Sequence, residues 1–198
     1  MNDKYYRFIP GWLSDNEAEE LYKQCFNLNG NILEIGSMYG RSTSVICESI
    51  KDSASKSGFE SYDINFKSRD QFIDFYTKVH GGIIIPDLVE QYSFSKNKSI
   101  FDVTIEYLQK YNLLQYVNLN EGNFNVIDNK KFNFIFCDAM HDINEVNLNL
   151  PHMIRLSENN CIWAIHDINL ELSNTIKKYA TLLKTIDCIG IFVYKKSI

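Results

Sequence analysis

Two short groups of Asp and His residues each follow an apolar segment of the chain. Asp138 and His141 follow one segment, and His166 and Asp167 follow another. Charged side chains directly after a buried strand are costly to place unless they are paired, hydrated or bound to metal. Asp138, His166 and Asp167 offer the oxygen and imidazole ligands of a divalent metal site. His141 can serve as a general base, because imidazole titrates near neutral pH. The alternative is that Asp138 caps the following helix and His166 is a hydrogen-bonded core residue.

The stretch from Glu34 to Ser42, EIGSMYGRS, joins an apolar segment to a helical one. Gly36 and Gly40 allow a tight turn and a close approach of the backbone to a ligand. The helix that follows presents free backbone N–H groups to an anion. The stretch does not match the G-x-G-x-x-G dinucleotide fingerprint, so an ordinary strand-to-helix turn with two glycines is the alternative.

Two further positions suit a nucleoside. Asp63 lies about 20 residues beyond Gly40, a spacing at which an acidic residue can accept hydrogen bonds from both ribose hydroxyls. Further along, Gly122 is followed by Asn123 and Phe124, an amide and an aromatic ring that suit the edge and face of an adenine. The alternatives are a solvated loop aspartate and a simple turn.

Alternating strands and helices must position these residues. The apolar segments predict six strands, at Ile32–Ile35, Phe59–Ile64, Tyr116–Leu119, Lys131–Cys137, Cys161–Ile165 and Ile189–Tyr194. Helical spacing predicts helices from a Ser14/Glu17 capping box to Asn29–Gly30, and at Ser42–Ile50, Arg69–Val79, Phe101–Asn112, Asp142–Leu156 and Leu170–Leu183. Pro151 is expected to start a new helical segment. The alternation predicts a parallel sheet with helices on both faces, in which ligands bind beyond the carboxyl ends of the strands.

The pattern along the chain is interpreted as one domain spanning residues 1–198, with an amino-terminal arm and helix at 1–29. Residues 80–99 show no clear period. We therefore interpret 64–99 as an insertion that, together with the arm segment Tyr5–Trp12, covers the substrate.

Several side chains of this insertion are expected to meet a ligand. Ile83–Ile85, Tyr92 and Phe94 are predicted to contact a partly apolar molecule or a second copy of the chain. His80, in the insertion, and His152, on a helix surface, lack acidic neighbours in sequence and are interpreted as structural.

The composition limits the kinds of partner and the cellular compartment that we expect. The chain has 198 residues, of which 45% are hydrophobic and 23% charged, and a formal net charge of −5. An acidic chain has no general attraction for nucleic acid or anionic membrane. Its five cysteines form no CxxC pair, which favours free thiols in a reducing compartment. No apolar run approaches the ~18 residues needed to span a bilayer. These features predict a cytoplasmic protein without a nucleic-acid or membrane partner.

Three runs of sequence together resemble a known family. They are ILEIGSMYGRST at 32–43, FIFCDAMH at 134–141 and IWAIHDIN at 162–169. The chain resembles the class I S-adenosylmethionine-dependent methyltransferases, and within them the small-molecule O-methyltransferases and the related branch with D-x-x-H and H-D after its fourth and fifth strands. The resemblance covers residues 30–195. It implies a doubly wound α/β fold with a mostly parallel, Rossmann-like seven-stranded sheet.

The resemblance also implies a set of cofactor-binding residues. They are Glu34, Gly36, Ser37, Met38, Gly40, Ser42, Asp63, Asn123, Phe124 and Asp138. Ser42 would meet the carboxylate of the methionine part, Asp63 would hold the ribose, and Asn123 and Phe124 would flank the adenine. Met38 replaces the middle glycine of the commonest methyltransferase loop.

For the metal, the resemblance implies Asp138, His166 and Asp167 as ligands. His141 lies where catechol-type relatives carry a catalytic lysine, so it is the expected base. His166 departs from the family pattern because it replaces an oxygen ligand, and imidazole suits zinc, iron or manganese better than magnesium. The metal could therefore be Mg, Mn or Zn, and its requirement stays open.

The implied activity is methyl transfer to a small-molecule or sugar hydroxyl with the help of a divalent metal. A phenol or a small amine also fits as the acceptor, and relatives often form homodimers. The alternatives are a metal-dependent hydrolase on the same scaffold, a nicotinamide-dependent oxidoreductase and a methyltransferase-like module that binds ligand without turnover.

Overall fold

A computed structural model describes residues 5–53, 56–81 and 85–196 of the chain. Its strands are β1 Ile32–Ile35, β2 Phe59–Asp63, β3 Asn118–Glu121, β4 Phe132–Cys137, β5 Ser157–Ile165, β6 Ala180–Ile186 and β7 Ile189–Tyr194. Its α-helices are α1 Asp15–Cys25, α2 Arg41–Ser53, α3 Arg69–His80, α4 Asp87–Tyr92, α5 Ile100–Lys110, α6 Ile143–Leu156 and α7 Leu170–Ile176. Short 3-10 helices lie at Tyr5–Phe8, Phe94–Lys96, Leu114–Tyr116 and Phe124–Val126. No helix within the described ranges has the length and apolar character to cross a membrane.

The seven strands form one sheet in the order β3-β2-β1-β4-β5-β7-β6. The strands β1 to β5 pair in parallel, whereas β7 runs antiparallel to both β5 and β6. The predicted doubly wound α/β class with a mostly parallel seven-stranded sheet is confirmed. Strand order reverses between β1 and β4, which is where ligands bind in open α/β sheets.

Alternate side chains of the central strands bury two separate apolar layers. Leu33 and Ile35 face α6 and α7, in a layer that includes Trp163. Ile32 and Phe134 face the other way, where α1, α2 and α5 pack. Both sides of the sheet are therefore covered.

A third apolar cluster covers part of one strand end. It joins Tyr39, from the loop after β1, to residues of α3, α4 and α5, among them Phe72, Val89 and Val103. Tyr39 is fully buried, and its hydroxyl lies 3.0 Å from Ser93 Oγ. Helices α3 and α4, which lie within 64–99, therefore pack directly on the loop after β1.

The largest departure from the predicted elements lies near the carboxyl end. The helix predicted at Leu170–Leu183 ends at Ile176, and Ala180–Ile186 is β6. Antiparallel pairing with β7 holds this segment extended. Most of its side chains are not buried, so the strand lacks a strong apolar pattern of its own.

Other boundaries differ because of local turns. The third strand is Asn118–Glu121 and not Tyr116–Leu119, since Leu114–Tyr116 forms a 3-10 turn. The first helix has the predicted capping box but ends at Cys25, before Asn29–Gly30.

Two segments contain more helix than the sequence predicted. Pro151 lies inside the continuous helix α6 and does not start a new one. The buried residues Val146 and Met153 on either side of Pro151 hold the helix against the sheet despite the lost N–H. Within the predicted insertion, Asp87–Tyr92 forms α4, whereas Ile83 and Ile84 lie outside the described residues.

Candidate functional site

The carboxyl ends of four strands meet at one edge of the sheet. The Asp138 N–H donates to Ile35 O (2.8 Å), and the His166 N–H donates to Cys137 O (3.0 Å). The Gly36 N–H donates to Tyr62 O (2.9 Å). The residues that follow β1, β2, β4 and β5 are therefore adjacent in space, as the sequence predicted. We call this region the carboxyl edge.

The loop after β1 requires glycine at its first turn. Gly36 has φ +88°, and a Cβ added there would lie 2.5 Å from the carbonyl oxygen of Asp138. Any side chain would push β1 away from β4. Gly40 closes the same loop, because its N–H donates to Ser37 O (2.7 Å). These two glycines shape the loop in the way that the sequence suggested.

Asp63, at the end of β2, holds this loop in place. Its Oδ2 accepts the N–H groups of Ser37 (3.0 Å) and Met38 (2.8 Å), and its Oδ1 accepts that of Asn65 (2.8 Å). Burial raises the pKa of Asp63, although these N–H groups act in the opposite direction. Met38 adopts a left-handed backbone conformation with φ 45°, so the loop is tightly constrained.

Glu34 is fully buried and faces into the protein. Its carboxylate accepts the hydroxyls of Ser42, Thr43 and Ser61, each at 2.6 Å. Burial raises the pKa of Glu34 to about 7, against the effect of the three hydroxyls. Glu34 thus ties β1 to β2 and to the first turn of α2. The side chain of Ser42 is engaged in this bond, so the group of Ser42 that can meet an anion is its backbone N–H.

His166 lies among three carboxylates. Its Nδ1 is 3.1 Å from Asp138 Oδ1 and 3.3 Å from Asp167 Oδ1. On the opposite side of the ring, Nε2 lies 3.5 Å from Glu17 Oε2. Burial by itself lowers the pKa of His166, but the three carboxylates outweigh it and raise the pKa to about 12. The three carboxylates therefore favour the protonated form of His166.

His141 has one nitrogen engaged and one nitrogen facing the carboxyl edge. Its Nδ1 lies 2.8 Å from Glu145 Oε2, which also accepts the His141 backbone N–H (2.8 Å). Its Nε2 lies 3.8 Å from Asp138 and 3.7 Å from Asp167. Burial favours a lower pKa for His141, but Glu145 and the two aspartates together raise it. Glu145 therefore orients the ring with Nε2 toward the edge.

The arrangement changes the expected set of metal ligands. Asp138, His141 and Asp167 each offer one ligand atom, and these atoms all lie within 4.8 Å of one another. His166, the third ligand predicted from the sequence, is not part of this group; its Nδ1 contacts oxygens of Asp138 and Asp167.

The two residues expected to flank an adenine differ in their exposure to solvent. Asn123 is exposed, and its side chain caps the Phe124–Val126 turn by accepting the Asn125 N–H (2.9 Å). Phe124 is 3% exposed and packs in the core against the ring of His152. Asn123 is thus at the carboxyl edge, whereas the ring of Phe124 is directed into the core.

Three residues at the edge were not predicted from the sequence. Glu17 was recognised only as part of a capping box, and Glu145 only as a helix residue. The position of Glu145 one helical turn after His141 is a signal that could have identified it. Tyr76 of α3 lies near the site: burial, followed by the charges of Glu145, Asp63 and Asp138, raises the pKa of its phenol. No local pattern in the sequence distinguishes Tyr76 from the neighbouring aromatic residues.

A family model described as a methyltransferase domain matches residues 33–168. The chain belongs to this methyltransferase family. The match spans more than half of the chain and includes every residue of the carboxyl edge except Glu17. It makes the chain an S-adenosylmethionine-dependent methyltransferase, and it supports neither a hydrolase nor a nicotinamide-dependent oxidoreductase.

Solved structures share the fold of this methyltransferase at low sequence identity. The O-methyltransferase from Bacillus cereus in complex with SAH is 14% identical, with a TM-score of 0.60, over 98% of this chain and 92% of that chain. The O-methyltransferase TomG from Streptomyces achromogenes, in complex with SAM, is 10% identical, with a TM-score of 0.61, over 93% and 82%.

A third neighbour acts on a different class of acceptor. The tRNA (m1A58) methyltransferase TrmI from Aquifex aeolicus is 14% identical, with a TM-score of 0.60, over 96% and 72%. At these identities the likeness shows the fold and not the acceptor. The comparison with curated proteins found no significant match.

The residues of the carboxyl edge fit S-adenosylmethionine. A carboxylate has about four acceptor positions, so Asp63 retains acceptor capacity beyond its three backbone bonds. Beside Asn123, a Cβ added to Gly122 would meet nothing within 4 Å, which leaves space for a base. The acidic side chains of Asp138 and Asp167 complement the positive sulfonium of the cofactor. The methyltransferase therefore has donors, acceptors and charge of the kinds that this cofactor needs.

Proposed function

We propose that this methyltransferase transfers a methyl group from S-adenosylmethionine to a hydroxyl of a small-molecule or sugar acceptor, with His141 as the general base. One observation carries the proposal. His141 Nδ1 is held by Glu145 at 2.8 Å, and Nε2 faces the carboxyl edge between Asp138 and Asp167. A base oriented by a carboxylate on its other nitrogen is a common arrangement for removing a proton.

Different residues of the chain would have different roles in methyl transfer. The bound cofactor supplies a methyl group on a sulfonium that is already a good leaving group. Asp63 would bind the ribose, and the loop from Gly36 to Gly40 would hold the methionine part. His141 would take the acceptor's proton at Nε2, and Glu145 would stabilise the resulting imidazolium. Alignment of the acceptor oxygen with the methyl group would account for most of the rest of the rate enhancement.

An aromatic cover from α3 supports a small, partly apolar acceptor. The ring of Tyr76 packs on Phe66, Phe72 and Phe75, with ring centroids 4.7 to 6.0 Å apart. Burial, followed by the neighbouring carboxylates, raises the pKa of Tyr76 to about 12, so this phenol stays protonated. In this proposal, α3 excludes water from the carboxyl edge. The net charge of −5 favours such an acceptor over nucleic acid.

A metal-assisted version is the second candidate. Asp138, His141 and Asp167 lie close enough to share one divalent cation, and their oxygen and imidazole atoms suit Mn or Zn better than Mg. Such a cation would lower the pKa of the acceptor hydroxyl. In that case His141 would be a ligand and would not act as the base.

One assay separates the two versions. Release of S-adenosylhomocysteine would be measured with a panel of phenols and sugars, after treatment with a chelator and again with Mg, Mn or Zn. The variants are His141→Ala, Glu145→Gln and, as a matched control, His152→Ala. His152 lies on α6 and packs against the ring of Phe124, which is directed into the core.

The base version predicts turnover that persists with chelator and falls about 100-fold or more in His141→Ala. It also predicts a smaller loss in Glu145→Gln and none in His152→Ala. Turnover that disappears with chelator and returns with Mn or Zn would support the metal version. Methylation of amines, with no phenol or sugar accepted, would contradict the proposed hydroxyl acceptor.

A further inference from the structure

The first helix supplies a buried carboxylate to the carboxyl edge. Glu17 of α1 is 2% exposed, although most glutamates lie on protein surfaces. It also lies outside residues 33–168, the part matched by the family model. A buried charge needs a partner that compensates its lost hydration, so the contacts of Glu17 indicate what it does.

Glu17 is held firmly by backbone groups from two distant parts of the chain. Its Oε2 accepts the Ser14 N–H (2.8 Å), and its Oε1 accepts the Cys188 N–H (2.8 Å). Ser14 lies at the start of α1, and Cys188 lies in the turn between β6 and β7. These two bonds determine the position of the carboxylate without help from the carboxyl edge.

From this fixed position Glu17 faces the ring of His166. Glu17 Oε2 and His166 Nε2 are 3.5 Å apart, an ion-pair distance, and His166 is 7% exposed in its side chain. The opposite nitrogen of the same ring contacts Asp138 (3.1 Å) and Asp167 (3.3 Å). One imidazole thus lies between Glu17, which two backbone N–H groups hold, and the two carboxylates that border His141.

We propose that Glu17 is a positioning residue for methyl transfer, acting through His166 to hold the carboxylates of Asp138 and Asp167 in place. The inference rests on the proposed function, because it assigns these two carboxylates to the cofactor site. Glu17 is the charged group that faces Nε2 of the His166 ring, and removing its charge takes away that contact. Asp138 and Asp167 would then lose a fixed common partner.

The chain offers a matched control on the same helix. Glu20 is 6% exposed and also ties α1 to the β6–β7 hairpin, since its Oε2 accepts from Lys184 Nζ (2.8 Å). None of its hydrogen bonds or ion pairs with other described residues involves His166. Glu17→Gln and Glu20→Gln each remove one buried negative charge from α1, so a general loss of stability would affect both variants.

The test combines a spectroscopic signature of His166 with cofactor affinity. Protein labelled with nitrogen-15 in its histidine rings, of which there are four, is observed by NMR in the wild type and both variants. His166→Gln assigns the His166 signals, because they disappear in that variant. The affinity for S-adenosylhomocysteine is measured on the same samples by calorimetry.

Glu17→Gln changes the group that faces His166 Nε2, so we expect the ring signals of His166 to shift relative to those of the wild type. The same variant should bind S-adenosylhomocysteine at least fivefold more weakly. Glu20→Gln should keep the wild-type signals and bind within twofold of the wild type.

Two results would overturn the inference. One is a Glu17→Gln variant whose His166 signals and affinity match those of Glu20→Gln. The other is a His166 ring whose signals do not change in Glu17→Asp, which shortens the side chain and decides the matter even if Glu17→Gln does not fold. A wild type that binds no S-adenosylhomocysteine contradicts the proposed function instead, and the NMR comparison still shows whether Glu17 holds His166.

Discussion

A Cβ atom placed on Gly36 would lie 2.5 Å from the carbonyl oxygen of Asp138. This close approach joins β1 to β4 where the strand order reverses. Gly36→Ala should therefore destabilise the protein by about 3 kcal/mol or more, because backbone atoms cannot move aside cheaply. It should also abolish binding of S-adenosylhomocysteine.

Gly81→Ala provides the matched comparison for Gly36→Ala. Gly81 has φ +75°, but an added Cβ would meet nothing within 4 Å. Only the backbone strain remains, at about 1 to 2 kcal/mol. Equal losses of unfolding free energy in the two variants, measured by denaturant unfolding, would show that the close approach of Gly36 to Asp138 does not affect stability.

The hydroxyl of Ser42 should contribute to stability and not to cofactor binding. It donates to the buried Glu34 carboxylate at 2.6 Å and is not directed to the carboxyl edge. Ser42→Ala is expected to cost about 1 kcal/mol of stability and to leave the affinity for S-adenosylhomocysteine within twofold. A tenfold loss of affinity in calorimetry would instead assign the hydroxyl to the cofactor's carboxylate.

Glu48 should make stability depend on pH. It is 6% exposed, and burial, followed by repulsion from Asp52, raises its pKa from 4.5 to about 7. Between these two pH values the folded protein holds the proton more tightly than the unfolded chain, so the stabilising effect of protonation is lost as pH rises. Glu48→Gln has no such loss.

The free energy of unfolding of Glu48→Gln, relative to that of the wild type, should therefore rise by roughly 1 to 3 kcal/mol between pH 5 and pH 8. The conversion is about 1.4 kcal/mol for each pKa unit. Urea unfolding at both pH values measures it. The exposed Glu106, paired with Lys98, supplies the control Glu106→Gln, for which little change is expected. A difference for Glu48→Gln that does not vary with pH would refute the explanation.

Glu145 should matter for catalysis through His141. Because Glu145 accepts from Nδ1 at 2.8 Å, Glu145→Gln should lower turnover about 10-fold or more while leaving the affinity for S-adenosylhomocysteine within twofold. Asn144→Ala, one position earlier on α6, is the control and should have normal turnover. Normal turnover in Glu145→Gln would show that the orientation of His141 does not depend on this carboxylate.

The sequence predicted the central strands well because they are buried on both faces. β1 and β4 appear as short apolar runs, and their ends supply the polar residues that the structure brings together. Such strands carry their signal in composition alone. The edge strand β6 does not, because pairing with β7 and not a buried face determines its conformation.

The contacts between distant residues explain what the sequence could not show. Glu17 reaches His166 across the fold, and the capping box by itself gives no hint of this second partner. His166 was expected to bind metal because of its position after β5. The group of possible ligands in the structure contains His141 in its place. The three carboxylates around His166 come from three separate elements, which no local pattern reveals.

Titration of S-adenosylhomocysteine into the chelator-treated protein tests the central claim most directly. The wild type should bind one equivalent with micromolar affinity, about −8 kcal/mol. Asp63→Ala should weaken binding at least tenfold, whereas Asp74→Ala, at an exposed position paired with Lys78 on α3, should not. Absence of binding in the wild type, or equal binding in Asp63→Ala, would contradict a cofactor site at the carboxyl edge.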